Sequence, residues 1–221
     1  MIVKAALDDV GLVSFPKTSG SRGLHVLVPL RIGPDFDEVL SFAEKLCERL
    51  AAAHPRELTV ESRIEDRQNR VYLDALRNAF GATVAAPYSV RRRPGGAFSM
   101  PLRSSEVKPS LVPSDFNIGN YKERLAGPDP WKDFFRSRQS IRHAAKNLAR
   151  MQLKRWGRRF GFRLPVFLNQ ALLRQEIKID CLFVSKRADF GKRLGRESGF
   201  FDCLPYGQPV SNGQNPACKW F

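Results

Sequence analysis

The sequence has little cysteine and no arrangement that would pair it. Its four cysteines, Cys47, Cys181, Cys203 and Cys218, stand far apart, with no CxxC and no histidine beside them. Free thiols are therefore expected in place of a zinc site. Long apolar runs are missing as well: no window approaches about 18 apolar residues, so no membrane span is expected. Met1-Ile2-Val3 runs straight into Lys4 and then Asp8-Asp9, without the apolar stretch of a secretory signal. Internal repeats and low-complexity tracts are not seen. Acidic residues are scarce in one part of the chain only. Residues 1–120 hold 16 basic and 14 acidic side chains, whereas residues 121–221 hold 21 and 8. The net charge of +15 points to a polyanionic partner: nucleic acid, nucleotide phosphates or acidic lipid. With 43% apolar and 10% aromatic residues, the chain can also bury a core, which excludes a wholly disordered basic tail.

Periodicity gives the elements. Residues 12–18 read as a short strand and Ser19 to Gly23 as a turn of small residues. Leu24 to Leu30 alternates, with Leu24, Val26, Val28 and Leu30 on one face and His25 on the other; Pro29 suggests an edge or a strand end. Residues 35–53 predict a helix capped by Asp35, with Val39, Phe42, Ala43, Leu46 and Leu50 as its apolar stripe. Strands are expected at about 58–62, 70–76 and 82–90, mostly loop over 104–130 with a short helix near 121–126, and a long helix from Pro130 to about Phe160. Short apolar pieces follow at 164–173 and 179–184. The front of the chain is expected to be α+β or α/β around a mixed sheet.

Three groups of residues could do chemistry. In Thr18-Ser19-Gly20-Ser21-Arg22-Gly23-Leu24-His25, the turn can aim backbone N–H groups at an anion, the serines add hydroxyls, and Arg22 adds a forked cation suited to phosphate. The alternative is a plain hairpin turn with a surface histidine. Asp74 is an acid in mid-strand, where acids are disfavoured; it suits a metal ligand, or an ion pair with Arg70 on the same face. One carboxylate does not make a two-metal site. In Arg91-Arg92-Arg93, the first and third side chains of a strand-like run share a face and could clamp a phosphate chain, the alternative being a solvated basic turn.

Taken together and in order, Phe15 to Val26, Val71 to Asn78, Gly81 to Gly95 and Ser99-Met100-Pro101-Leu102 resemble the polymerase/primase domain of bacterial ligase D, within the archaeo-eukaryotic primase superfamily. The similarity ends near Asp129-Pro130-Trp131 and Arg136 to Gln139. It implies an α+β fold with the mixed or antiparallel sheet of a primase-polymerase core. It also implies nucleotidyl transfer to DNA ends in non-homologous end joining, with divalent manganese or magnesium, in the cytoplasm and associated with the nucleoid. Implied partners are DNA ends and nucleoside triphosphates, with the ligase domain and Ku, and no membrane. On the family's pattern, Ser19 and His25 hold the incoming triphosphate, and Arg22 stands where the family has a phosphate-binding lysine. Arg67, Arg91 and Arg93 match basic positions lining the pocket, and Asp74 matches the third metal-binding carboxylate.

The departures are as informative. The family's first motif, two aspartates one residue apart on a strand well before the Ser19 turn, is not found. Asp8-Asp9 are adjacent and would point about 100° apart on a helix. Ile64, Ala75 and Ser104 replace a basic, an aromatic and a tryptophan position. The expectation is a domain truncated at its N-terminus over 1–141, inactive alone, followed by a basic extension over 142–221 that is helical to about 160. A non-catalytic nucleotide or nucleic-acid-binding module and one half of a split polymerase are the alternatives. In the extension, Arg138, Arg142, Lys146, Arg150, Lys154 and Arg158 recur every four residues beside an apolar stripe of Ile141, Ala144, Leu148 and Met151. A helix docked by its apolar side with solvated charges outside, and a tail translated past a frameshift, are together favoured over a dedicated DNA-binding ridge.

Overall fold

A computed structural model describes residues 1–151 and 176–183, all within one compact unit, Met1–Val184. The elements in chain order are α1 (Ile2–Asp9), β1 (Phe15–Thr18), β2 (Leu24–Leu30), α2 (Phe36–Ala53), β3 (Leu58–Thr59), β4 (Val71–Asp74), α3 (Tyr121–Ala126), α4 (Ile141–Arg150) and β5 (Glu176–Phe183). The fold is α+β. Its sheet has the order β1-β2-β5-β4-β3, with β1 antiparallel to β2 and the other three pairings parallel.

The helices form where the apolar spacing requires. Asp35 caps α2, its carboxylate accepting from the Glu38 N–H at 2.7 Å, and Asp37 and Glu38 sit where the helix dipole favours acids. The predicted stripe, joined by Cys47, is buried. It packs with Val3, Ala6 and Leu7 of α1, Ile141, Ala144 and Leu148 of α4, and Val26, Val28, Leu30, Leu73 and Ile179 of the sheet in one apolar cluster. Because the alternating side chains of a strand point to opposite faces, this cluster covers one face of the sheet and leaves Lys17, His25 and Asp74 on the other. All seven residues of β2 are buried, as suits an interior strand of a mixed sheet covered on both faces. His25 is accordingly buried, not at the surface.

Several expectations shift. Residues 82–90 do not form a strand; a single bridge joins Val90 to Phe98, and Tyr88 sits at φ +61°, outside the extended region. Pro29 lies inside β2, which has neighbours on both sides, but β1 ends its pairing at Leu27, so the missing N–H of Pro29 costs no bond to β1. The helix expected from Pro130 begins only at Ile141. Trp131 to Arg136 make tight turns that bury Trp131 and Phe134 against Phe15 and Leu27. Gln139 is then drawn into extended pairing, its backbone bonding Pro29 and Arg31 and its side chain bonding both main-chain groups of Val13. Residues 152–160, the rest of that expected helix, lie outside the described residues.

The docked-helix reading of the basic stripe holds for α4. Ile141, Ala144 and Leu148 are buried while Arg142, Lys146 and Arg150 are exposed. Arg49 of α2 closes the end of α4, its Nη1 donating to the carbonyls of Leu148 and Met151 at 2.5 and 2.8 Å. Asn147 donates to the Val10 carbonyl, and Arg142 pairs with Glu38 at 3.0 Å. Part of the apolar piece expected at 179–184 belongs to β5, which sits between β2 and β4. No helix among the described residues is long and apolar enough to cross a membrane.

Candidate functional site

The chemistry collects on the face of the sheet away from α1, α2 and α4. Lys17 pairs with His25 across β1 and β2, His25 with Lys178 across β2 and β5, and Lys178 with Asp74 across β5 and β4. Lys17, His25 and Asp74 thus stand in one row of Cα positions across four adjacent strands. At about 4.8 Å per strand, the Cα atoms of His25 and Asp74 stand about 10 Å apart. A hydrogen bond cannot span that gap, but a phosphate chain can.

The turn between β1 and β2 is built around Ser19. Its Oγ accepts from the N–H of Ser21 at 3.2 Å and of Gly23 at 3.1 Å, and its own N–H donates to the Gly23 carbonyl. Of the turn's amides, those of Ser21 and Gly23 are therefore spent on the serine hydroxyl and that of Ser19 on the Gly23 carbonyl. With both lone pairs engaged, that hydroxyl is left with its proton to donate, and the two N–H groups polarise it toward donation. Arg22 is exposed beside it. Gly20 holds φ +67°, and a Cβ added there would lie 2.2 Å from Cγ of Arg91. Glycine at this position lets the Arg91 side chain lie directly on the turn.

Arg91 arrives on a hairpin of residues 88–101. Its two sides are joined by bonds from Arg91 N–H to the Ala97 carbonyl and from Ser99 N–H to the Ser89 carbonyl, both 2.8 Å. Arg92 and Arg93 lie exposed in its turn, and the contact with the Ser19 turn is made by Arg91. Arg67 approaches from the opposite end of the row. Its guanidinium lies 4.2 Å over the ring of Tyr72 and donates to the carbonyls of Glu61 and Ser62. Tyr72 shares a face with Asp74 two residues on.

Asp74 is buried at the end of β4, and its Oδ1 accepts from the Leu76 N–H at 3.0 Å, which fixes the carboxylate as the chain turns away. Arg70, the rival ion-pair partner, directs Nε and Nη2 to the carbonyls of Arg67 and Asp66. The charge of Asp74 is felt through the sheet: burial pushes the Cys47 thiol up to about 12, and Asp74 is the next cause after burial. Among the described residues no three His, Cys, Asp or Glu side chains gather as a metal-holding group. Asp8 of α1 pairs with Lys4 at 2.5 Å.

Sequence reasoning passed over Lys17 and Ser99. Both are fully buried, and the Lys17 Nζ donates to Ser99 Oγ at 2.6 Å. The signal was present in part: a turn closed between Ser19 and Gly23 sets Lys17 opposite His25.

The family model described as the LigD primase-polymerase domain matches residues 1–131. The chain is 38% identical over 143 residues to the multifunctional non-homologous end joining protein LigD of Pseudomonas aeruginosa, covering 63% of this chain and 17% of that protein. It is 35% identical over 141 residues to the bifunctional non-homologous end joining protein LigD of Bacillus subtilis, covering 62% and 23%. The chain thus spans less than a quarter of either relative. Among solved structures, the polymerase domain of Mycobacterium tuberculosis ligase D in complex with DNA is similar with a TM-score of 0.52 and 32% identity, over 57% of this chain and 43% of that one. The match covers β1 to β4, the Ser19 turn and the Arg91 hairpin, and by it the chain belongs to the LigD primase-polymerase domain family.

Proposed function

We propose that the polar face of the sheet binds a nucleoside triphosphate at a DNA end, as the working surface of a nucleotidyltransferase of non-homologous end joining. The observation that carries this is the juxtaposition of the Ser19 hydroxyl, Arg22 and Arg91 at one end of a row that continues through His25 to Asp74. In this reading Ser19 and His25 donate to phosphate oxygens and Arg22 and Arg91 balance their charge. Arg67 and Arg93 line the approach. Asp74 supports a divalent cation, manganese or magnesium, carried in on the triphosphate, since such ions bind through one or two carboxylates plus phosphate oxygens and water. When bound, that ion would neutralise charge on the phosphates.

Two-metal transfer needs several oxygens converging on both ions, and Asp74 supplies one carboxylate. Among the described residues the row holds that one carboxylate, which favours a binding module that does not transfer nucleotides until further carboxylates complete it. The similar tuberculosis domain was solved in complex with DNA, which supports DNA ends as the second ligand. The ligase domain and Ku are the partners this role would bring.

Calorimetric titration with manganese ATP tests the reading. Ser19→Ala and His25→Ala should each weaken binding by about 10-fold or more, because a hydrogen bond to a charged group is worth about 1.5–3 kcal/mol. An absence of ATP binding by the unsubstituted chain overturns it. Robust manganese-dependent addition to a primed, gapped DNA, abolished by Asp74→Ala, would overturn the claim of inactivity.

A further inference from the structure

Lys17 is the largest polar side chain buried in the described residues, at 0% exposure, and its ammonium donates to the equally buried Ser99 Oγ at 2.6 Å. A buried ammonium is costly to desolvate, so its retention calls for a reason beyond filling space. Ser99 belongs to the hairpin that carries Arg91. That hairpin rests on β1 through a small polar network. Ser99 Oγ donates to the Thr18 carbonyl at 3.1 Å, Thr18 Oγ1 donates to the Phe98 carbonyl at 2.7 Å, and the Met100 N–H donates to Thr18 Oγ1 at 2.8 Å. The Thr18 N–H donates in turn to the Met100 carbonyl at 2.9 Å. Lys17 and Thr18 directly precede Ser19. The residues that hold the hairpin are thus continuous with the turn on which Arg91 lies.

We propose that Lys17 is a positioning residue of the phosphate-binding site: through Ser99 it holds the 88–101 hairpin on β1 and so keeps Arg91 on the Ser19 turn. The proposal rests on the triphosphate reading above for what Arg91 does there, but not for where Arg91 is held. Thr18 fixes the hairpin backbone near Phe98 and Met100. Lys17 reaches from β1 to Ser99 Oγ, and the Ser99 N–H in turn bonds the Ser89 carbonyl on the hairpin side that carries Arg91. Its charge makes that link stronger than a neutral bond would be.

Amide hydrogen exchange on the whole chain separates the two ideas. Lys17→Met and Ser99→Ala should each speed exchange of the Arg91 and Ser99 amides by 10-fold or more, while the Val26 and Val28 amides of β2 change by less than twofold. Should Lys17→Met fail to fold, Ser99→Ala alone decides. Unchanged hairpin amides, or a uniform rise across the sheet, overturns the proposal. ATP binding gives the second readout. Each substitution should weaken binding about 10-fold in the unsubstituted chain and by less than twofold in an Arg91→Ala background. A full 10-fold loss in that background overturns the claim that Lys17 acts through Arg91. A chain that binds no ATP at all, yet shows the localised exchange, would remove the triphosphate reading and leave the positioning role standing.

Discussion

Replacing Gly20 by alanine should separate the conformational demand of the Ser19 turn from the placement of Arg91. Gly20 sits at φ +67°, and a Cβ there would meet Arg91 Cγ at 2.2 Å, Arg91 Cβ at 3.2 Å and the Phe98 carbonyl carbon at 3.2 Å. Gly95 is the internal control: it has φ +80° and nothing within 4 Å of its added Cβ. Left-handed backbone costs an L-residue about 1–2 kcal/mol, and the stiffer unfolded chain returns about 0.4–1 kcal/mol. Gly95→Ala should therefore cost about 0.5–1.5 kcal/mol. Gly20→Ala adds a contact too short to survive. Arg91 is exposed, so its side chain can relieve the contact by changing χ1, at about 0.5–1.5 kcal/mol if the new position is off-rotamer. The close approach to Phe98 remains. Gly20→Ala should thus exceed Gly95→Ala by about 1 kcal/mol, or about 2–4 °C in melting temperature for a chain of this size. The decisive arm is the pair Gly20→Ala with Arg91→Ala. Truncating Arg91 removes Cγ but leaves the 3.2 Å approaches to Arg91 Cβ and Phe98, so urea denaturation should show the excess cost reduced by about half or more, a coupling of about 0.5–1 kcal/mol. If Gly20→Ala costs no more than Gly95→Ala, or if Arg91→Ala leaves its cost unchanged, Arg91 does not lie on the turn.

Two further outcomes follow from charge. Burial raises the Cys47 thiol to about 12, with smaller contributions from Asp74, Glu48 and Glu44, so at pH 8 its thiolate is roughly a thousandfold rarer than that of an ordinary thiol near 8.5–9. Iodoacetamide labelling mapped by mass spectrometry should find Cys47 protected in the folded chain and labelled once urea unfolds it; equal labelling rates would contradict its burial. The Glu106 carboxyl is held below its usual range, chiefly by its hydrogen bonds from Arg124, which also donates to the Pro101 carbonyl at 3.0 Å. A depressed folded pKa stabilises the fold at pH above the unfolded value of about 4.3, and that stabilisation is lost as pH falls through the depressed folded value. Glu106→Gln should therefore lower stability at pH 7 and flatten its acid limb below pH 5 in urea titrations; a parallel shift at every pH would show that the carboxylate charge is not involved.

The elements that sequence periodicity described well are those whose pattern is local. In α2, the cap, the first-turn acids and the stripe all act within a few residues, and the helix begins after Asp35 as expected. β2 spans the expected Leu24 to Leu30 because alternation and the preceding turn agree. Elements whose conformation is set by distant partners were harder to read. The run at 82–90 has the composition of a strand but finds no ladder beyond one bridge, and its end is used to build the Arg91 hairpin. Residues 131–140 have a helical apolar spacing, yet Trp131 and Phe134 are recruited to Phe15, and Gln139 to the end of β2 and to Val13. β5 carried no motif, and its place between β2 and β4 is a matter of tertiary pairing alone.

The same distinction explains why net charge was a poor guide to the site. A surface that meets phosphate by electrostatics alone would use the basic residues of the rear segment. On α4, however, Arg142, Lys146 and Arg150 face solvent on the outside of a helix whose inner side closes the apolar core, and Arg142 is already paired with Glu38. Exposed charges of that kind contribute little to a specific site because water and salt screen them. The groups that converge do so in the near-neutral part of the chain. Lys17, His25 and Asp74 are all buried there, and each sits on a strand whose register fixes it to within one residue. A slip of one residue in β1 would send Lys17 into the apolar face and bring Thr18 opposite His25. Only a few charges are needed where their positions are set this firmly. Residues 1–120 can therefore carry the proposed phosphate site while netting close to zero, with Arg22 and Arg91 exposed at the Ser19 turn, Lys17 buried behind the hairpin, and their charge balanced elsewhere on the same domain.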